Sequence, residues 1–168
     1  MRAVQALLMR FWCALTVLAA SALPAMAHPA IDAFTAYCFK AGQTPAQARA
    51  NMTGLVGDPL PFTLTFWDTT LEAAPGTPAH AERRCEVAFD GDHAADAVTQ
   101  VQAKMATPPV FGKSIPLAPP FAAQYGTAYI DARELLRKRV AVVHIGTRPG
   151  PETFIRVDRL PPGKGLPE

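Results

Sequence analysis

Residues 1–27 decide what the rest of the chain has to fold, because they carry the pattern of a segment that is cut away. Arg2 and Arg10 make a basic start without an acid, an apolar stretch runs from Phe11 through Leu23, and Ala25-Met26-Ala27 supplies the small-x-small cleavage pattern. Cleavage there leaves His28 at the new N-terminus; Ala20-Ser21-Ala22 offers a second match, after Ala22. The run is too short and too interrupted for a span of roughly 20 apolar residues, so no stable membrane span is expected after cleavage. Cys13 lies inside the apolar region and leaves with it. The protein is therefore expected in the periplasm or outside the cell.

Export settles the chemistry of the two remaining cysteines. Cys38 and Cys85 are expected to form a disulfide, since the destination is oxidising and no C-x-x-C motif marks a redox pair. About 140 residues remain, enough for one core rather than two. A single small domain is expected over 28–160, with a flexible tail over 161–168.

Charge excludes one class of function. The chain has 16 Lys plus Arg against 14 Asp plus Glu, but Arg2 and Arg10 leave with the leader, so the remainder is neutral. A neutral domain lacks the positive field of a nucleic-acid binder. The charges are nonetheless uneven: Asp58, Asp68, Glu72, Glu82, Glu86, Asp90 and Asp92 crowd the first half. Arg133, Arg137, Lys138, Arg139, Arg148, Arg156 and Arg159 crowd the second. The two sets are expected to face each other in surface pairs, with a patch for an acidic partner as the functional alternative.

Periodicity gives the elements. Ile31, Phe34 and Cys38 share a helical face that ends at Gly42, and Thr44-Pro45-Ala46-Gln47 has the form of a capping box for a second helix running to about Met52, before Gly54. Phe62, Leu64 and Phe66 alternate with threonines, and Cys85, Val87 and Phe89 alternate with Glu86 and Ala88, which predicts a hairpin. If Cys85 points inward, its bond to Cys38 ties the first helix onto the buried face of that hairpin. Asp92 is placed to cap a third helix with the stripe Ala94, Val98, Val101 and Met105, stopped by Pro108-Pro109. Five prolines from Pro108 to Pro120 predict an extended connection without an element, pinned by Phe111 and Phe121. Strands over Thr127 to Ala132, Val140 to Ile145 and Thr153 to Val157 complete the order α-α-β-β-α-β-β-β. This is an α+β domain: an antiparallel sheet of about five strands with helices packed on one face.

Catalytic patterns are missing: G-x-S-x-G, S-x-x-K, H-E-x-x-H and a glycine-rich phosphate loop are all absent. Ser114, the one serine of the mature chain, sits among prolines, a poor setting for a triad. Asp90, Asp92 and His93 resemble part of a metal site, though Asp92 is already assigned as a cap. His144 alternates with Val140 and Val142, which makes it a strand-face residue before it is a ligand or base. Asn51-Met52-Thr53 spells a glycosylation sequon that we treat as coincidence.

Two classes of function follow. The first is a non-catalytic module that binds an unknown protein or small molecule without a cofactor, with Trp67 as a contact residue because it is out of phase with Phe62, Leu64 and Phe66. The second is a copper-binding protein in which the amine and imidazole of an N-terminal His28 are joined by a second histidine, His80, His93 or His144. Against it, Pro29 equally suits the first position of a helix, with His28 a remnant of the cleavage site.

Overall fold

A computed structural model describes residues 28–72, 80–117 and 121–166, so the proposed leader, 1–27, lies outside the described residues. The elements are α1 (Pro29–Tyr37), α2 (Pro45–Val56), β1 (Thr63–Asp68), β2 (Arg83–Asp90), α3 (Ala94–Ala106), β3 (Lys113–Ile115), β4 (Thr127–Leu135), β5 (Arg139–Arg148) and β6 (Glu152–Arg159), with a 3-10 turn at Leu136–Lys138. All strand pairs are antiparallel, in the order β1-β2-β6-β5-β4-β3. The class is α+β, with six strands where about five were expected. No described helix is long and apolar enough to cross a membrane.

The first two helices start as local chemistry requires. Pro29 is pre-set for the first turn of α1, and the Ala30 N–H donates to Nδ1 of His28 at 3.2 Å. Thr44 and Gln47 close the capping box of α2, each side chain accepting from the other's backbone N–H. The expected stop before Gly54 is wrong, since α2 runs through it to Val56. A mid-helix glycine costs only about 1 kcal/mol, and the chain turns where Gly57 adopts φ 96°.

The helix-side core follows strand parity. Phe66 pairs with Cys85 and Leu64 with Val87, as the alternation demands, while β6 and β5 add Ile155, Val157, Val143 and Ile145 to the same face. Ile31 and Phe34 of α1, Met52 of α2, and Val101 and Met105 of α3 are fully buried against them. Cys38 and Cys85 are bonded, their Cα atoms 5.4 Å apart, so α1 is stapled to β2.

Two further expectations are corrected. Asp92 does not cap α3: His93 holds the cap position without a side-chain bond, and Asp92 accepts instead from the Thr147 hydroxyl at 3.2 Å. The work passes to Thr153 of β6, whose buried hydroxyl accepts from the His93 N–H and donates to the Gly91 carbonyl. A tertiary partner has displaced the local one. The proline-rich stretch also holds an element, β3, because Lys113–Ile115 is free of proline and pairs as an edge strand with Arg133 and its neighbours. Only glycine fits at 112, where φ is 63° and a Cβ would stand 2.6 Å from the Glu134 carbonyl oxygen.

The opposite face of the sheet carries a second apolar cluster, Ala132, Val140, Val142 and Leu160, covered by Leu117, Phe121 and Leu166. Segment 161–166, expected as part of a tail, thus turns back onto the sheet. The rest of that face is a charged ladder. Arg84 grips Asp158 with two bonds of 2.7 Å, Arg148 reaches both Glu86 and Glu152, and Arg156 lies between Glu86 and Asp158.

Candidate functional site

Not every cation of the second half is absorbed by that ladder. The C-terminal end of α1, the loop 107–113 and the β4–β5 turn enclose an open groove of about 820 Å³. Its charged residues are Lys40, Lys104, Lys113, Arg137, Arg139 and Arg159, against the single carboxylate of Glu134. Among the described residues Lys113 is paired with Glu134 and Arg139 with Glu82, which leaves four cations without an ion pair. Phe39, Phe111 and Leu135 also line it, and Val110 and Leu136 stand on its lip 59% and 91% exposed. With the cations they make the groove amphipathic. The turn that presents Leu136 is strained: Arg137 and Lys138 both take positive φ, 61° and 54°, at about 1 kcal/mol each for residues with a Cβ.

Below the groove lies a small chamber of about 20 Å³, room for about one water-sized group. It shares Phe39, Phe111, Leu135 and Arg159 with the groove and adds Cys38 and Arg83. Arg83 is 3% exposed, on the inward phase of β2 two residues before Cys85. Its Nε and Nη2 are buried with no hydrogen-bond partner among the described residues, and Asp68 Oδ2 stays 3.6 Å from Nε, beyond hydrogen-bond reach. Burial, then the neighbouring Arg159, pull the Arg83 guanidinium down to about 10, with Asp68 opposing. A buried guanidinium that lines such a void, with Nε and Nη2 unpartnered among the described residues, is a candidate anion-recognition element.

The residues singled out from the sequence fall elsewhere. His28 and His93 come together at the start of α1 and α3, ring centroids 5.0 Å apart, with His28 stacked on Phe89 at 4.2 Å. Burial and the neighbouring His93 lower the His28 pKa, while Asp32 raises it. His144 is on the opposite face of the sheet, in register with Ile130 and Arg156. His80 sits edge-on to Phe121 at 5.3 Å. Among the described residues no group of three or more His, Cys, Asp or Glu is disposed to hold a metal ion. Trp67 is half-buried on the outward face, where the Arg84 guanidinium lies 5.6 Å from its ring. The Ser114 hydroxyl is taken by Asp131 at 2.6 Å.

Both ring nitrogens of His144 are occupied, Nδ1 by Arg156 Nη2 at 2.8 Å and Nε2 by Thr127 Oγ1 at 2.9 Å. Because a guanidinium can only donate, Nδ1 must accept and the ring is the neutral Nε2–H tautomer. Burial, then Arg156, hold its pKa at about 4 against an ordinary 6.5; Asp158 opposes and Arg148 adds a smaller push the same way. The unfolded chain therefore takes a proton that the folded one refuses, and stability falls as pH drops from about 6.5 to about 4. We expect wild type to lose about 2–3 kcal/mol more than His144→Gln between pH 7 and 4, read from urea midpoints. Equal losses would show that the ring is not held neutral.

Sequence reasoning passed over Arg83 although a signal was available: an arginine in phase with Cys85, Val87 and Phe89 on a buried strand face. The groove had no such signal, since its cations come from five separate segments. Comparisons with protein-family models, with curated proteins and with solved structures find no match to this chain.

Proposed function

We propose that this is an exported, non-catalytic binding module whose ligand is a small negatively charged molecule seated in the groove. The carrying observation is the imbalance of six cations to one carboxylate around an apolar-lined concavity. A volume of about 820 Å³ falls in the range of small-molecule sites, and long-range attraction from such a rim concentrates anions at its mouth. Export is supported by the disulfide, which belongs to an oxidising compartment, and by the leader pattern of residues 1–27.

The test uses an anionic amphiphilic dye, 8-anilinonaphthalene-1-sulfonate, against the uncharged N-phenyl-1-naphthylamine. Saturable one-site binding of the sulfonate, weakened at least tenfold in Lys104→Glu/Arg137→Glu and by added salt, is the expected result. Both substituted residues are exposed, so the fold should survive. Binding that ignores the charge reversal, or equal binding of the neutral dye, would sink the reading.

A second reading has its own observation, the pairing of His28 with His93. Cleavage after Ala27 would give His28 a free amine beside its imidazole, and His93 a place as third nitrogen donor for copper. Loading through Nδ1 would displace the Ala30 N–H from its cap. Equimolar Cu(II) should then be retained by the processed protein, on intact mass, and lost both in His93→Ala and in a variant extended by one residue ahead of His28. Retention in the extended variant would exclude this arrangement.

A further inference from the structure

The groove accounts for the attraction of an anion but leaves the chamber beneath it unexplained. Arg83 is a costly residue to bury, and the described residues do not complete its hydrogen bonds: Nε and Nη2 have no partner among them, and the carboxylate beside it is committed to Thr70, whose N–H and hydroxyl bond Asp68 Oδ1 at 2.8 and 2.5 Å. A second guanidinium, Arg159, lines both the chamber and the groove, so positive charge converges at the passage between them. Phe39, Phe111 and Leu135 form the apolar part of that passage.

We infer that the ligand is a single-headed carboxylate with an apolar chain, its head placed at Arg83 and Arg159 and its chain laid along Phe39, Phe111 and Leu135. This rests on the reading of the groove as an anion site. The head is a carboxylate because the chamber, about 20 Å³, has room for about one oxygen-sized group. A flat two-oxygen head can lead with one oxygen and leave the other at the mouth beside Arg159. A tetrahedral sulfate or phosphate head brings more oxygens to the same opening than it can take. The tail is apolar because the walls next to the head are aromatic and aliphatic, and because Val110 and Leu136, exposed on the lip, extend that surface outward.

The experiment is displacement of 8-anilinonaphthalene-1-sulfonate by decanoate, decyl sulfate and decanol, all below their micellar concentrations. Wild type should prefer decanoate over decyl sulfate at least tenfold, and decanol should be weaker still. In Arg83→Lys, which keeps a positive charge beside Asp68, the decanoate preference should collapse toward one. Arg83→Met/Asp68→Asn, which removes both charges together, should show the same collapse, so poor folding of one variant does not decide the matter. If the dye binds but wild type shows no carboxylate preference, or if both variants retain it, the head assignment is overturned while the groove stands. If the dye does not bind at all, the groove reading falls and takes the assignment with it.

Discussion

Replacing Cys38 and Cys85 together by alanine should lower stability by about 4 kcal/mol, seen as a fall in the urea midpoint together with a steeper slope, because the unfolded chain loses its cross-link and exposes more surface. The residues are 47 apart in sequence, and in the chain-entropy account a loop of that length restrains the unfolded chain by about that amount. Two fully or nearly fully buried sulfurs are lost as well, 2% and 0% exposed, which leaves a small void between α1 and β2. A loss below about 1 kcal/mol would mean that packing of Ile31 and Phe34 alone seats α1 on the sheet. The same protein made in a reducing cytoplasm should resemble the double alanine variant.

Asp68→Asn should cost about 3–5 kcal/mol, because it removes the one carboxylate beside a buried guanidinium. Asp68 is 1% exposed, and its pairing with Arg83, though too long for a hydrogen bond, is the one ion pair that arginine makes among the described residues. Asparagine preserves the acceptor for Thr70, so local turn geometry is not at issue. The double variant Arg83→Met/Asp68→Asn should recover most of the loss, since neither charge is then stranded. Additive losses in the double variant would show that the two side chains are not coupled. The outcome also bears on function: an arginine compensated by a carboxylate beyond hydrogen-bond reach keeps donors that the described residues do not complete.

How much was legible in the sequence varied with the range of the interaction involved. The capping box at Thr44, the hairpin phase of Leu64, Phe66, Cys85 and Val87, and the Cys38–Cys85 bridge all follow from rules that act over a few residues or from the scarcity of alternatives. The failures share one cause. Asp92 looked like a cap until Thr153, 60 residues beyond His93, supplied the hydroxyl; Gly54 looked like a stop until Met52 proved buried and Gly57 took the turn. The strand inside the proline-rich stretch exists because β4 offers an edge, which no local propensity announces.

The candidate site divides the same way. That the second half of the chain is basic was plain, and part of that charge does meet the acidic first half, Arg139 at Glu82, and Arg148 and Arg156 at Glu86. Which cations would be left over could not be read, because Lys40, Lys104, Arg137 and Arg159 become neighbours only when a helix end, a loop and a hairpin turn converge. The sequence by itself determined the three helices, five of the six strands, the bridge and the class of fold, since hydrophobic period, capping residues and two cysteines act locally or without rivals. Only the tertiary structure decided that Arg83 is buried with open donors beneath a basic groove, because burial and charge balance are properties of what surrounds a residue and not of the residue itself.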